Sequence, residues 1–403
     1  MQNQGPLNGV KILDFTHVLS GSYGTMLLGD LGADIIKVEK IGSGDALRNT
    51  PPLKNGESAY FFCTNRNKRC LELDLKKKGA RDIVYRLVEK CDVFAENFRP
   101  GVMDRLGLGY EKIREIKPDI IYASLSAFGE IGPYRDKPGF ELIIQSLTGL
   151  VGVTSEPGGK PSKVQPQVVD ICGGMFMGTA IWGALFHRQY TGQGQRIKTS
   201  LMEGLFALMT NFVYMHLMGA EIPNKLRSRN PMMFPSQSFK TRDGYMSVVV
   251  VPAHWERFCT ALGKTDWIND PNLSNVVYRV QHYDEMEALV EETTSTKTTA
   301  EWLEIFEKHE VAAAPINSIE EMFVDPRLKA LVMLRTMNHI KAGEIKIQDL
   351  PWQMSETHSG VKLPPPALGE HTCQLLSENG FSNQEIEQLL AEGVVAETYK
   401  ARA

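Results

Sequence analysis

The chain has 403 residues, 42% of them apolar and 23% charged, a balance that excludes a disordered chain and leaves room for two or three domains. Its 44 Lys and Arg against 48 Asp and Glu give a net charge of −4, which excludes the overall basic field of a nucleic-acid binder but not a local basic pocket. Six cysteines without a C-x-x-C pair and nine histidines without H-x-x-x-H spacing exclude a zinc knuckle and a dithiol redox motif, and no metal site is expected.

Residues 1–6 show neither a secretion-signal pattern nor the Arg-rich character of a transit peptide. The scattered thiols fit a reducing cytosol, so a cytoplasmic protein is expected. Residues 10–15 read as a strand, 16–24 as a loop, 25–31 as a short helix and 34–39 as a second strand. A helix over 81–90 and strands over 92–96 and 120–124 follow, ahead of a loop from Ser126 to Gly139. Strands alternating with helices imply a parallel sheet. Residues 171–190 form one long apolar helix, 191–195 a turn and 201–218 another helix. The first is closed by His187 and Arg188, and the second carries Glu203 and His216. Neither is an unbroken apolar span of about 20 residues, so both are read as buried core helices.

Residues 219–235 read as a linker. Arg242-Asp243-Gly244 between two apolar runs marks a β-hairpin over 237–251. Thr298 with Glu301, Ser318 with Glu321 and Ser382 with Glu385 have capping-box spacing. The last opens a helix over 383–390. Residues 344–347 read as a short strand and 363–366 as an extended proline strap.

The first turn reads Ser20-Gly21-Ser22-Tyr23-Gly24, which lacks G-x-G-x-x-G, although Glu39 stands where a ribose-binding acid would. The glycines are therefore read as tight-turn residues and not as a dinucleotide fingerprint. Lys40, Arg66, Lys68, Arg69, Lys76 to Lys78, Arg99, Arg105 and Lys137 fall at strand ends and loops. Singly they read as solvated charges. Together on a parallel sheet they would ring one crevice suited to a polyphosphate.

Asp170 stands at the start of the long apolar helix. One reading makes it an N-cap. Gly173 and Gly174 favour another, because they are poor helix formers that would admit a ligand close to the backbone. A helix N-terminus favours an anion and offers N–H donors, so Asp170 also reads as a carboxylate nucleophile beside an oxyanion site. Spacing alone leaves both open. No serine stands in G-x-S-x-G, so an esterase triad is not supported.

Six segments then carry a likeness in their order and spacing. They are Gly9-Val10-Lys11-Ile12-Leu13-Asp14-Phe15-Thr16, Leu31-Gly32-Ala33-Asp34-Ile35-Ile36-Lys37-Val38-Glu39, Asn65-Arg66-Asn67-Lys68-Arg69, Glu96-Asn97-Phe98-Arg99-Pro100-Gly101, Gly192-Gln193-Gly194-Gln195 and Leu368-Gly369-Glu370-His371-Thr372. Over nearly its whole length the chain resembles the class III CoA-transferases, the group of formyl-CoA transferase and the carnitine CoA-transferases. The resemblance implies an α/β fold. A Rossmann-like large domain with a parallel sheet is expected from residues 1–223 and 334–403, with a smaller inserted α+β domain at 224–333. It also implies an interlocked, ring-like homodimer, which an extended strap over 355–366 would suit.

By the same resemblance, Asp170 attacks an acyl-CoA to give a mixed anhydride and then an aspartyl-CoA thioester. CoA contacts carry over to Val18, Leu19, Lys40 (where arginine is frequent), Leu73 to Lys76, Asn97, Phe98, Arg99 and Arg105. The CoA thioester is a substrate. No tightly bound cofactor, nucleic acid or membrane is implied.

Related α-methylacyl-CoA racemases carry a His-Asp pair where this chain has Phe140-Glu141. A racemase needs two acid/base groups on opposite faces of the α-carbon, and Phe140 moves no proton. A transferase is thus favoured, with a racemase-like isomerase as the alternative and a non-enzymatic CoA-binding protein last. Many transferases have Tyr-Asp at this place; Glu141 is read as positioning Asp170 or the acyl group. After the hairpin, Val251-Pro252-Ala253-His254-Trp255 lacks the glycine run of formyl-CoA transferases, which argues against an oxalate specialty. The chain looks more like the succinyl-CoA:dicarboxylate branch. His17, Arg48, Lys137 and Arg229 are its candidates to meet a second carboxylate.

Overall fold

The computed structural model describes residues 5–222, 225–331 and 333–401; Met1 to Gln4, and Asn224 where the smaller domain is expected to begin, lie outside these. Seven short segments build the central sheet: β1 (Lys11–Asp14), β2 (Asp34–Glu39), β3 (Lys68–Leu73), β4 (Val93–Glu96), β5 (Ile121–Ser126), β6 (Gln195–Ser200) and β7 (Val395–Ala396). Their order is β7-β3-β2-β1-β4-β5-β6. All neighbours are parallel except β7, which runs antiparallel to β3. Leu13 of β1 sits between Ile36 of β2 and Phe94 of β4, all three buried. Near-continuous apolar runs are what a sheet covered on both faces requires. The strand order reverses direction between β1 and β4, and open sheets of this doubly wound kind bind ligands at such a switch point.

Strand β2 matches its expected residues. Strands β3 and β6 do not show in the sequence pattern, because charged residues alternate through both. The first helix, α1 (Ser20–Asp30), begins five residues earlier than the apolar pattern suggests. Gly21 and Gly24 therefore lie inside a helix and not in a turn. The reason is a close helix crossing. A Cβ on Gly24 would stand 2.5 Å from the Gly174 carbonyl oxygen of α3 (Val168–Thr191), and one on Gly174 would stand 2.3 Å from the Ser20 carbonyl oxygen. A Cβ on Gly173 would stand 2.7 Å from the Leu201 side chain. These glycines thus serve packing between elements, and the reading that they admit a ligand is corrected. Helix α3 is long and apolar enough to cross a membrane by length and composition alone, yet it lies along α1 and against β5 and β6.

Contacts divide the chain into two compact units. One is Met1–Thr148, Gln165–Thr210 and Leu331–Ala403; the other is Gly149–Val164 and Asn211–Ala330. In the first, the returning C-terminal segment adds Leu375, Leu376 and Val395 to the sheet core of Leu13, Ile36 and Phe94. The strap is pinned by Asn67, whose Oδ1 accepts the N–H groups of Lys362 at 2.7 Å and Leu363 at 2.9 Å. In the second, the hairpin forms as Ser236–Lys240 paired with Tyr245–Val249, and Ala312–Pro315 adds a third strand. Phe234, Phe239, Phe258, Trp302 and Phe306 fill its core. All three capping boxes form.

Candidate active site

The segments leaving β1 and β4 meet at the switch point. Asn97 Oδ1 accepts the His17 N–H, and Asn97 Nδ2 donates to the His17 carbonyl, both at 2.8 Å. The His17 ring packs on Phe98 with centroids 4.7 Å apart. Two cavities open here. One of about 590 Å³ is lined by Asp170, Glu141, Phe140 and the cations Arg99, Arg105 and Lys137. The other, of about 620 Å³, is lined by Leu73, Lys40, Lys76 and Lys77. His17 and Phe98 belong to both walls. Burial pushes the His17 imidazole below its ordinary pKa, so near neutral pH it presents a neutral ring.

Asp170 is the third residue of α3, and Gln167 occupies the cap position without a side-chain hydrogen bond. The N-cap reading of Asp170 is therefore corrected. Capping falls to Glu141, the first residue of α2 (Glu141–Leu147). Its buried carboxylate accepts the Val169 N–H at 3.1 Å and the Asp170 N–H at 3.0 Å. Gln145 Nε2 donates to the same carboxylate at 2.6 Å. Pro166 and Gln167 carbonyls take the N–H groups of Val168 and Ile171. The first four N–H groups of α3 are thus occupied. The expected oxyanion donors at this helix start are already engaged, a second correction.

The basic ring contracts. Lys68 is fully buried with Nζ 3.0 Å from Asp14 Oδ2, and burial pushes its pKa down to about 8. Arg66 pairs with Asp30 at 2.7 Å. Arg69 pairs with Asp34 at 2.7 Å and Glu378 at 2.6 Å. Arg48 is buried against Glu39 at 2.5 Å and stacks on Phe61 at 3.7 Å. Arg48 is thus no carboxylate receptor, and Glu39 no ribose acid. In the second unit Arg229 is engaged by Asp284 and Glu287. Leu19 packs with Leu47 and Phe61 and lines neither cavity. Val18, Asn97 and Phe98 line the Asp170 cavity, as expected of neighbours of the switch point.

Two lining residues escape a reading by motif. Arg135 shares the Asp170 cavity with Lys137, and its place in the same loop was the available signal. Asp45 lies in the wall of the second cavity and caps the turn Ala46–Asn49. Glu96, at the end of β4, accepts the Phe98 N–H at 2.8 Å, and burial pushes its carboxyl up to about 7.

A doubly wound sheet, a cation-rimmed double cavity at its switch point and an acid at a helix start define an α/β protein with room for a long anionic ligand. Comparison with known proteins gives that class a family. The model of CoA-transferase family III matches residues 7–372. Succinyl-CoA:glutarate CoA-transferase of Mus musculus is 35% identical, spanning 97% of this chain and 90% of that protein. Acetyl-CoA:oxalate CoA-transferase of Acetobacter aceti is also 35% identical, spanning 93% of this chain and 96% of that protein. The solved structure of a CAIB/BAIF family protein from Brucella suis superimposes with a TM-score of 0.83 at 31% identity, covering 94% of this chain and all of that one. The chain belongs to CoA-transferase family III and is an enzyme whose substrates are CoA thioesters.

Proposed function

We propose that the enzyme moves CoA from an acyl-CoA to a small dicarboxylic acid through Asp170. The Asp170 carboxylate attacks the thioester carbonyl; the C–S bond breaks and CoA leaves as thiolate, giving a mixed anhydride. The thiolate attacks the aspartyl carbonyl and expels the donor acid, giving aspartyl-CoA thioester. The acceptor carboxylate displaces the thiolate to form a second anhydride. The thiolate then takes the acceptor acyl group and returns Asp170 as carboxylate. No proton needs to be moved, and the acyl groups stay activated if water is kept out.

The observation that carries this reading is the division of labour at α3. Glu141 meets the helix N–H groups, so the Asp170 side chain is not needed as a cap, and it lines the cavity. The helix N-terminus favours the anions present there in every step. In the same reading CoA lies with its phosphates near Lys40, Lys76 and Lys77 and its pantetheine passing His17 and Phe98 toward Asp170. Arg99, Arg105 and Lys137 supply cations to the acyl side. Relatives at equal identity act on glutarate and on oxalate by name, which supports the class of acceptor but not one acid. An interlocked homodimer fits the exposed Met175, Phe176, Trp182, Phe186 and Tyr190 along one face of α3, a stripe that a single chain leaves uncovered.

Incubation with succinyl-CoA, quenching with hydroxylamine and peptide mapping test the mechanism. The expected result is a hydroxamate at Asp170 that is absent from Asp170→Ala. Absence of label with several acyl-CoA donors, with deuterium exchange at the α-carbon of a branched acyl-CoA, would overturn it in favour of an isomerase.

A further inference from the structure

Val18 is β-branched, yet its φ is 59°. The left-handed region is sterically costly for such a side chain and persists only where the surroundings impose it. Here the surroundings are a buried ion pair. Asp45 accepts the Val18 N–H through both carboxylate oxygens, at 3.2 and 3.1 Å. Lys37, fully buried, donates from Nζ to Asp45 Oδ2 at 3.2 Å and to the Thr16 carbonyl at 2.8 Å. One ammonium thus grips residue 16 directly and residue 18 through Asp45. Asp45 is itself held, because Glu39 Oε1 accepts its N–H at 2.7 Å and Oδ1 accepts the Leu47 N–H at 3.0 Å. Between the two gripped residues stands His17, with its own backbone tied to Asn97 on both sides.

We propose that Asp45 is a positioning residue of the transferase: paired with Lys37, it holds Val18 in the left-handed conformation and thereby aims His17 at the junction of the two cavities, where the acyl-CoA passes. This rests on the reading of those cavities as the CoA path. Three consecutive residues have their backbones fixed, Thr16 by Lys37 of β2, His17 by Asn97 just beyond β4 and Val18 by Asp45 in the turn after β2, and only the middle one lines both cavities. A pair that served the fold alone would have no reason to impose a strained φ on a residue of the cavity wall.

The test uses CoA binding by calorimetry and steady-state kinetics on the full-length enzyme. Asp45→Asn weakens the grip on Val18, and releasing strain of this kind predicts a rise in Kd for CoA and KM for acyl-CoA of about tenfold, with kcat within about threefold. Glycine takes positive φ without cost, so a Val18→Gly change does not need the clamp. The double variant Val18→Gly/Asp45→Asn is therefore expected to bind CoA within about threefold of Val18→Gly alone. If Asp45→Asn fails to fold because Lys37 is left unpaired, the comparison is repeated with Lys37→Met added to both members, which removes the stranded charge. Unchanged CoA binding in Asp45→Asn, or the same penalty with and without Val18→Gly, overturns the clamp while leaving the CoA path intact. Wild-type enzyme that binds no CoA overturns both.

Discussion

The Glu141 carboxylate accepts the backbone N–H of Asp170 at 3.0 Å and that of Val169 at 3.1 Å, so one acid caps the helix that presents the other. Removing it leaves two N–H groups at the start of α3 without their partner. Glu141→Ala is expected to cost about 1–2 kcal/mol in unfolding free energy. Loosened geometry at Asp170 is expected to lower kcat by about 10–100-fold. Glu141→Gln, which keeps one acceptor oxygen, falls between. A kcat within twofold of wild type in Glu141→Ala would show that Asp170 needs no such support.

The crossing of α1 and α3 leaves no room for a methyl group. Alanine at Gly174 meets the Ser20 carbonyl at 2.3 Å, and alanine at Gly24 meets the Gly174 carbonyl at 2.5 Å. Both contacts are with backbone, which cannot swing aside as a side-chain end would. Each substitution is expected to destabilise by about 1–3 kcal/mol in denaturant unfolding. Wild-type stability in Gly174→Ala would mean the helices stand further apart than described.

Glu96 links stability to pH. Burial raises its carboxyl from 4.5 to about 7 in the folded chain, so between those values the folded state holds a proton the unfolded state has lost. The contribution is fully present below pH 4.5 and disappears as pH rises through about 7. Unfolding midpoints measured from pH 4.5 to 8 are expected to fall over this window, and Glu96→Gln to flatten that component. An unchanged slope in Glu96→Gln would assign the titration elsewhere.

The exposed stripe on α3 makes oligomeric state a direct test of the proposed dimer. Native mass measurement is expected to find two chains. Phe186, 57% exposed, stands on that stripe, and Phe186→Glu is expected to shift the population toward monomer because a buried unpaired carboxylate is costly. A monomeric wild type refutes the dimer.

Much of the sheet was legible because apolar runs bounded by turn residues mark strands such as β2. Strands β3 and β6 were not, since Lys68, Arg69, Arg196 and Lys198 interrupt the pattern. Within β3, Lys68 is buried in an ion pair with Asp14 at the end of β1, two strands away in the sheet. Capping boxes were legible because both partners lie three residues apart in sequence. Glu141 as the cap of α3 was not, because its partner is 28 residues away.

The sequence by itself determined the class of the protein: ordered local motifs, alternating strands and helices, and an acid at the start of a long apolar helix. Only the tertiary structure decided what each charge and each glycine is for. Arg66, Lys68 and Arg69 look on paper like the cations of the crevice and Arg48 like a receptor for a second carboxylate, yet folding spends them on acidic partners. Gly173 and Gly174 look like room for a ligand and Gly24 like a turn residue, yet all three are room for other chain elements. Charge and smallness are properties of a residue, but the partner that uses them is set by distance in space, which the linear order of the chain does not contain.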